Sequence, residues 1–159
     1  MRLRRKARGG SQIAELAPAL LILFIVILFP MLDVMYIGLG YCCGWYLNHM
    51  TSRGCTTVPP SGYAAACTAM NQQWSASSLS GFTGANIVAN SASQQFSAIN
   101  DPVTNKPTSY VLVTTQVRVN PFFTLGSMPL INNLNIDGLT RPVTFSYSDR
   151  RPVEETGIN

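Results

Sequence analysis

Hydrophobic and polar positions divide this chain into stretches of very different texture. From Leu16 to Phe29 the sequence reads LAPALLILFIVILF, with no charge and no strongly polar side chain. The apolar character continues through Met31, Leu32, Val34, Met35, Tyr36, Ile37 and Leu39, interrupted by Pro30 and Asp33. A spanning helix needs about 20 such residues, and Leu16 to Leu39 supplies them. A buried core helix rarely runs so long without a polar face. A cleavable secretory signal has an apolar region of about 7–15 residues before a small-residue cleavage site. Here the run is too long, and only Gly38-Leu39-Gly40, a poor approximation of such a site, follows it. The pattern therefore predicts a retained membrane helix. Pro18 falls in its first two turns, where a missing N–H costs little, whereas Pro30 lies deep inside and predicts a kink or local unwinding. Asp33 admits two readings: the helix has reached the outer interface, or the carboxylate serves a helix–helix contact inside an assembly. Gly38, Gly40 and Gly44 mark either close packing or fraying. Tyr41, Trp45 and Tyr46 suit an interfacial aromatic belt.

Beyond residue 50 the chain turns to Ser, Thr, Asn, Gln and Ala. TSRGCTTVPPSG, 51–62, reads as a loop, with Gly54, Pro59, Pro60 and Gly62 as breakers. YAAACTAMNQQWSA, 63–76, predicts a short helix with Trp74 on its apolar face. Residues 77–107 are polar and weakly periodic. Ile87, Val88, Phe96 and Ile99 point to a second short helix near 86–99, followed by a turn over 101–107. In SYVLVTTQVRV, 109–119, Val111, Val113, Val117 and Val119 alternate onto one face with Thr115 between them, which predicts a strand. Val143, Phe145 and Tyr147 predict another over 142–148, and a third, shorter strand falls near 134–136. The fold class expected is α+β. A basic segment, 1–10, precedes a long apolar transmembrane helix, 11–50, and a small domain, 51–159, with a short helix and an antiparallel β-sheet.

Charge sharpens this division. Five of the 11 Lys and Arg residues are Arg2, Arg4, Arg5, Lys6 and Arg8, so removing residues 1–10 leaves six basic against seven acidic side chains. The body of the chain has no basic patch, which excludes nucleic-acid binding through clustered Lys and Arg. By the positive-inside rule the basic start stays cytoplasmic and the residues from about 45 onward lie outside. The cysteines are Cys42, Cys43, Cys55 and Cys67. There is no CxxC, and a single His cannot complete a zinc set, so neither metal nor cofactor is expected. All four follow the apolar core of the span, where an oxidising compartment favours disulfides. Cys55–Cys67 would close the loop around Pro59. Cys42 or Cys43 with Cys67 would instead staple the first helix to the second, and free buried thiols are the remaining alternative. No GxSxG, HExxH, P-loop or GxGxxG occurs, and His49 has no partner at fixed spacing, so no enzymatic activity is expected. Asp101, Asp137, Asp149, Glu154 and Glu155 lie in turns and the tail, the last two beside Arg150 and Arg151 in what reads as a salt-linked tail.

Glu15 stands at the edge of the apolar run in Arg8-Gly9-Gly10-Ser11-Gln12-Ile13-Ala14-Glu15-Leu16. A carboxylate bordering hydrocarbon usually has a partner or a function. Cleavage between Gly10 and Ser11 would make Glu15 the fifth residue of the mature chain. This arrangement resembles the prepilin-type leader of type IV pilins and pseudopilins. With its Arg-rich leader, Glu15, the early Pro18 and a modest following domain, it is most similar to TadE-like minor pilins of the tight-adherence (Tad, Flp) pilus system. Leu16 follows Glu15 where major Flp pilins carry an aromatic, and the chain is longer than theirs, which fits a minor pilin or pseudopilin. Ser11, not Phe or Met, would be the first mature residue. The resemblance implies a pilin-like domain outside a bacterial inner membrane, with the N-terminus cytoplasmic. It also implies a prepilin peptidase, other pilin subunits, inner-membrane assembly machinery and membrane lipid as partners, in adhesion or secretion. Physically, cleavage exposes an α-amine at Ser11 with a reference pKa near 8. In a bundle of apolar helices a neighbour's amine could pair with Glu15 and set the register of entry. The alternative is an unprocessed single-pass membrane protein with a periplasmic interaction domain.

Overall fold

The computed structural model describes residues 9–100, 107–123 and 136–153, with side chains from Ala14 onward. Its first feature is one very long helix. Helix α1, Gly9–Leu23, passes through a single π-helical stretch, Phe24–Leu28, into α2, Phe29–Thr56. The sequence predicts disturbance at Pro30, and the disturbance sits immediately before it. A proline ring clashes with the carbonyl four residues back, and widening the preceding turn relieves the clash. The N–H of Phe29 accordingly bonds the Phe24 carbonyl, five residues away. Pro18 is carried inside α1 without a break in the helix.

The helix does not end near residue 50. Residues 51–56, read from sequence as loop, are helical, and the chain breaks only at Thr57–Pro59. Gly54 is tolerated there because α2 is held by burial on one face. Thr51 and Ser52 also return hydrogen bonds to the carbonyls of Leu47 and Asn48, both at 2.9 Å. A 3₁₀ turn at Pro60–Gly62 leads into α3, Tyr63–Ser75, as the sequence predicts. A short α4, Ser78–Thr83, follows, with the Ser77 side chain capping the Ser80 N–H.

The helix expected near 86–99 is instead a strand, β1, Ala85–Asn100. It pairs antiparallel with β2, Pro107–Val119, which pairs antiparallel with β3, Val143–Pro152, in the order β1-β2-β3. β1 carries Ile87, Ala92 and other small or polar residues too evenly mixed to show a period. Its partner supplies the pattern: Val111, Val113, Thr115, Val117 and Val119 are all fully buried on one face, as the alternation in the sequence predicts. A register slip between Ile87 and Ala89 leaves Val88 as an exposed extra residue. β3 runs four residues past its expected end at 148. Of the expected 134–136 strand, only Ile136 lies within the described residues; an isolated bridge joins Asp137 to Arg141 nearby. Most of the expected turn over 101–107 falls outside them.

The architecture is therefore α+β. One layer is the upper half of α2 with α3 and α4, and the other is the three-stranded sheet. Two apolar clusters fill the space between. One holds Leu47, Trp74, Ala85, Val117, Val119 and Tyr147; the other holds Cys55, Tyr63, Cys67, Val111 and Val113. A polar layer separates them. Thr115 lies 2.9 Å from Asn48 Oδ1 and 3.1 Å from Asn90 Oδ1, and Asn90 donates to Asn71 Oδ1 at 2.8 Å. The single hydroxyl proton of Thr115 can serve one of those oxygens at a time. This layer ties α2, α3, β1 and β2 to one register, because each buried polar group requires its partner in place.

Candidate functional site

The segment that carries the sequence motif is the long helix, and its two halves have different surroundings. The stretch Ala14–Thr56, 43 residues, is long and apolar enough to cross a membrane. Its most apolar window has a mean hydropathy of 2.7 and is only 6% buried. A core helix of a water-soluble domain would be covered. Here Leu16, Leu20, Leu21, Ile22, Val26 and Met31 stand exposed, and from Ala14 to Leu32 no side chain is fully buried.

At the start of the helix, Gly10 and Ser11 lie within α1 by backbone conformation. The basic residues Arg2, Arg4, Arg5, Lys6 and Arg8 lie outside the described residues. Glu15 is on the exposed surface of the first turns. The helix thus presents Glu15 and the Leu16–Leu32 surface to whatever surrounds it.

The upper half is different. Asp33, Gly40, Gly44, Leu47, Asn48, Thr51, Ser52, Cys55 and Thr56 are buried, at spacings of three, four and seven that place them along one stripe. Gly40 and Gly44 are close-packing positions. A Cβ at Gly40 would come within 2.7 Å of the Val119 methyls, and one at Gly44 within 2.6 Å of the Tyr147 ring. Gly38 faces open space, with nothing within 4 Å. Tyr147, whose hydroxyl donates to the Tyr41 carbonyl at 2.9 Å, has its pKa pushed up by burial. Tyr41 is thereby part of the helix–sheet contact, packing against Phe145 and Tyr147 at 5.3 and 5.4 Å between ring centroids.

Asp33 is fully buried. Its Oδ1 accepts the backbone N–H of Phe123 at 2.8 Å, just past the end of β2. Phe123 stacks on Phe29 with ring centroids 4.7 Å apart, and Phe122 packs on Tyr36 at 5.1 Å. Tyr36 in turn donates from its hydroxyl to the Phe82 carbonyl at 2.7 Å. The contact is one the sequence did not suggest: the carboxylate receives the sheet's lower end within one chain. Asp33, Phe122 and Phe123 were not legible as a group, because 90 residues separate the acid from the N–H it receives.

His49 is likewise engaged. Its ring stacks on Trp45 at 5.3 Å, and Arg151 Nη2 lies 2.7 Å from Nδ1. Arg151 also pairs with Asp149 at 2.8 Å. Burial opposes ionisation of Asp149, but the hydrogen bonds from Arg151 and Ser52 outweigh it and lower its pKa. Arg150 lies over the Tyr110 ring at 4.2 Å. Arg150 and Arg151, expected to pair with Glu154 and Glu155 in the tail, thus make contacts to β2, β3 and α2. The glutamates lie outside the described residues. The cleft of about 320 Å³ around His49 brings Ser146, Ser148 and Asp149 to its wall. The one arginine nitrogen, Nη2, lies 2.7 Å from Nδ1 and 3.3 Å from Nε2, so the imidazole is engaged by Arg151 and is in hydrogen-bond contact with neither serine among the described residues.

All four cysteines are free thiols in the structure. Cys55 and Cys67 are buried in one cluster and hydrogen-bonded to each other. Burial pushes the Cys55 thiol up to about 12 and raises that of Cys67 as well. Cys43 contacts Thr83 and Cys42 is exposed, some three turns of helix below. Of the expected pairings, the fold brings together Cys55 and Cys67. Among the described residues there is no group of three or more potential metal ligands. Comparisons with protein-family models, curated proteins and solved structures gave no match for this chain.

Proposed function

We propose that this chain is a minor pilin or pseudopilin of the TadE-like kind. It is inserted in a bacterial inner membrane, cleaved after Gly10 by a prepilin peptidase, and assembled through its N-terminal helix into or at the base of a Tad-type pilus. One observation carries the reading. A basic segment ends in Gly10-Ser11, and Glu15 borders the apolar run of a helix whose lower half is bare while its upper half is built into an α+β head. A bare apolar helix can be solvated by lipid before assembly and by copies of itself afterwards. The same surface then serves insertion and polymerisation. Glu15, at the start of that surface, is the group a neighbour's Ser11 amine would neutralise. The head faces the periplasm because the basic leader holds the other end inside. It supplies adhesion or contacts to other subunits.

The identity of the first residue in cells tests the proposal. With the peptidase present, N-terminal sequencing is expected to read Ser11. Gly10→Val places a branched side chain where the peptidase must approach the backbone closely, and is expected to leave full-length inserted protein. An intact Met1 in cells that process other prepilins would leave an unprocessed single-pass protein and sink the pilin reading.

A further inference from the structure

We infer that the lower rim of the head, centred on Phe82, Phe122 and Phe123, is itself inserted in the outer leaflet of the bilayer, so that the protein is held by a helix and by a collar of aromatics beside it. The inference rests on the helix spanning the membrane, though not on its being a pilin.

The argument begins with helix length. Twenty residues from Leu16 end at Met35 and rise about 30 Å, the thickness of the hydrocarbon. Phe29 then lies about 9 Å inside the outer boundary and Tyr36 at the boundary itself. Phe123 stacks on Phe29 and Phe122 packs on Tyr36, so the chain leaving β2 descends to hydrocarbon depth beside the helix. Phe82, at the end of α4, reaches Tyr36 from the other side. Phe82 is 66% exposed and Phe122 57% exposed, large apolar surfaces that the described residues leave mostly bare.

A backbone N–H at that depth has no water to bond and must be satisfied internally. Asp33 does this for Phe123, which gives a reason for a fully buried carboxylate within an apolar helix. Aromatic rings at the border of hydrocarbon and headgroups are in their preferred environment. The rim therefore supplies the belt that Tyr41, Trp45 and Tyr46 were expected to form. Those residues stand about 9–17 Å above Met35 along the helix, level with the sheet.

The partner is lipid acyl chain, and the experiment is depth-dependent quenching. Full-length protein carrying Trp45→Phe, with the buried Trp74 as constant background, is reconstituted into vesicles of acyl-brominated phosphatidylcholine. Four added tryptophans are compared, one per protein: Val26→Trp in the span, Phe122→Trp and Phe82→Trp in the rim, and Ile99→Trp near the far end of β1. Within about 10 Å of the acyl boundary, Phe122→Trp and Phe82→Trp are expected to lose about half their emission, as Val26→Trp does, and Ile99→Trp none. Quenching at Val26→Trp without quenching in the rim overturns the inference. So does equal quenching at Ile99→Trp, which would lay the whole head on the membrane. Rim quenching that disappears as protein-to-lipid ratio rises, with Val26→Trp unchanged, would assign the surface to a second copy and also overturn it. Absence of quenching at Val26→Trp would remove the span itself and the inference with it. An uncleaved N-terminus, which sinks the pilin reading, leaves all four readouts unaffected. If a substituted protein fails to fold, a membrane-restricted carbene probe on the unaltered chain asks the same question. Labels on Phe82 and Phe122 support insertion, and labels confined to the helix refute it.

Discussion

The two halves of the long helix share one backbone and part of their composition, yet they are stabilised by opposite means. Below Asp33 most side chains are apolar and exposed, and none is fully buried. Above it, the buried stripe is made of glycine, asparagine, threonine, serine and cysteine, with Leu47 as its one large apolar member. On the proposed reading the bare half faces lipid and needs no pattern, because every direction offers the same solvent. A helix meant for a sheet needs close approach and a matched polar network, and small residues provide both. The comparison shows that hydropathy locates the first half and says little about the second, where the decisive residues are those a hydropathy plot counts as neutral.

The largest effect is expected at the lower half. On the proposed assembly, Glu15→Ala removes one partner of a pair buried between subunits, at about 3–5 kcal/mol per contact. Pilus incorporation, scored by shearing and immunoblotting, is expected to fail while membrane insertion, cleavage and the thermal unfolding of the head stay as in wild type. Normal incorporation would make Glu15 an ordinary interfacial residue.

The next belongs to the head. On the proposed topology Cys55 and Cys67 meet an oxidising compartment, and non-reducing mass mapping is expected to find them joined. A bridge over a loop of roughly 12–15 residues stabilises by about 3 kcal/mol in the chain-entropy model, so Cys67→Ser is expected to lower stability by about that much and hasten periplasmic proteolysis. Four free thiols in protein isolated from cells would contradict export of the head.

Gly44→Leu sharpens the comparison from the other side. Tyr147 occupies the space such a side chain needs, and it is held by its bond to the Tyr41 carbonyl. Overpacking here is expected to destabilise the head by about 1–3 kcal/mol in a denaturant titration, without changing insertion. The smallest effect is expected six residues earlier. Gly38 meets nothing, and Gly38→Ala is expected to be neutral or to stabilise by up to about 1 kcal/mol through helix propensity. Equal costs at Gly38 and Gly44 would mean that α2 does not seat on the sheet as described.

The sequence alone determined the long apolar helix, the disturbance at Pro30, α3, and the inward face of β2. Each of these is a local property: an unbroken apolar run, a missing donor, a period of 3.6 and a period of two. It did not determine that 51–56 is helix or that 85–100 is strand. TSRGCT contains residues poor for helices in isolation, and it becomes helical because Thr51, Ser52, Cys55 and Thr56 are buried against the sheet. ANIVANSASQQFSAIN shows no hydrophobic alternation, because after Ile87 its half-buried positions are Asn90, Ala92, Gln95 and Ser97 while Val88, Phe96 and Ile99 are exposed, and its backbone is held by β2. The roles of Asp33, His49 and Arg151 were likewise beyond the sequence, since their partners lie 90 and 102 residues away. Hydrogen bonds and close packing between distant segments depend on which surfaces meet, and only the tertiary structure brings those surfaces together.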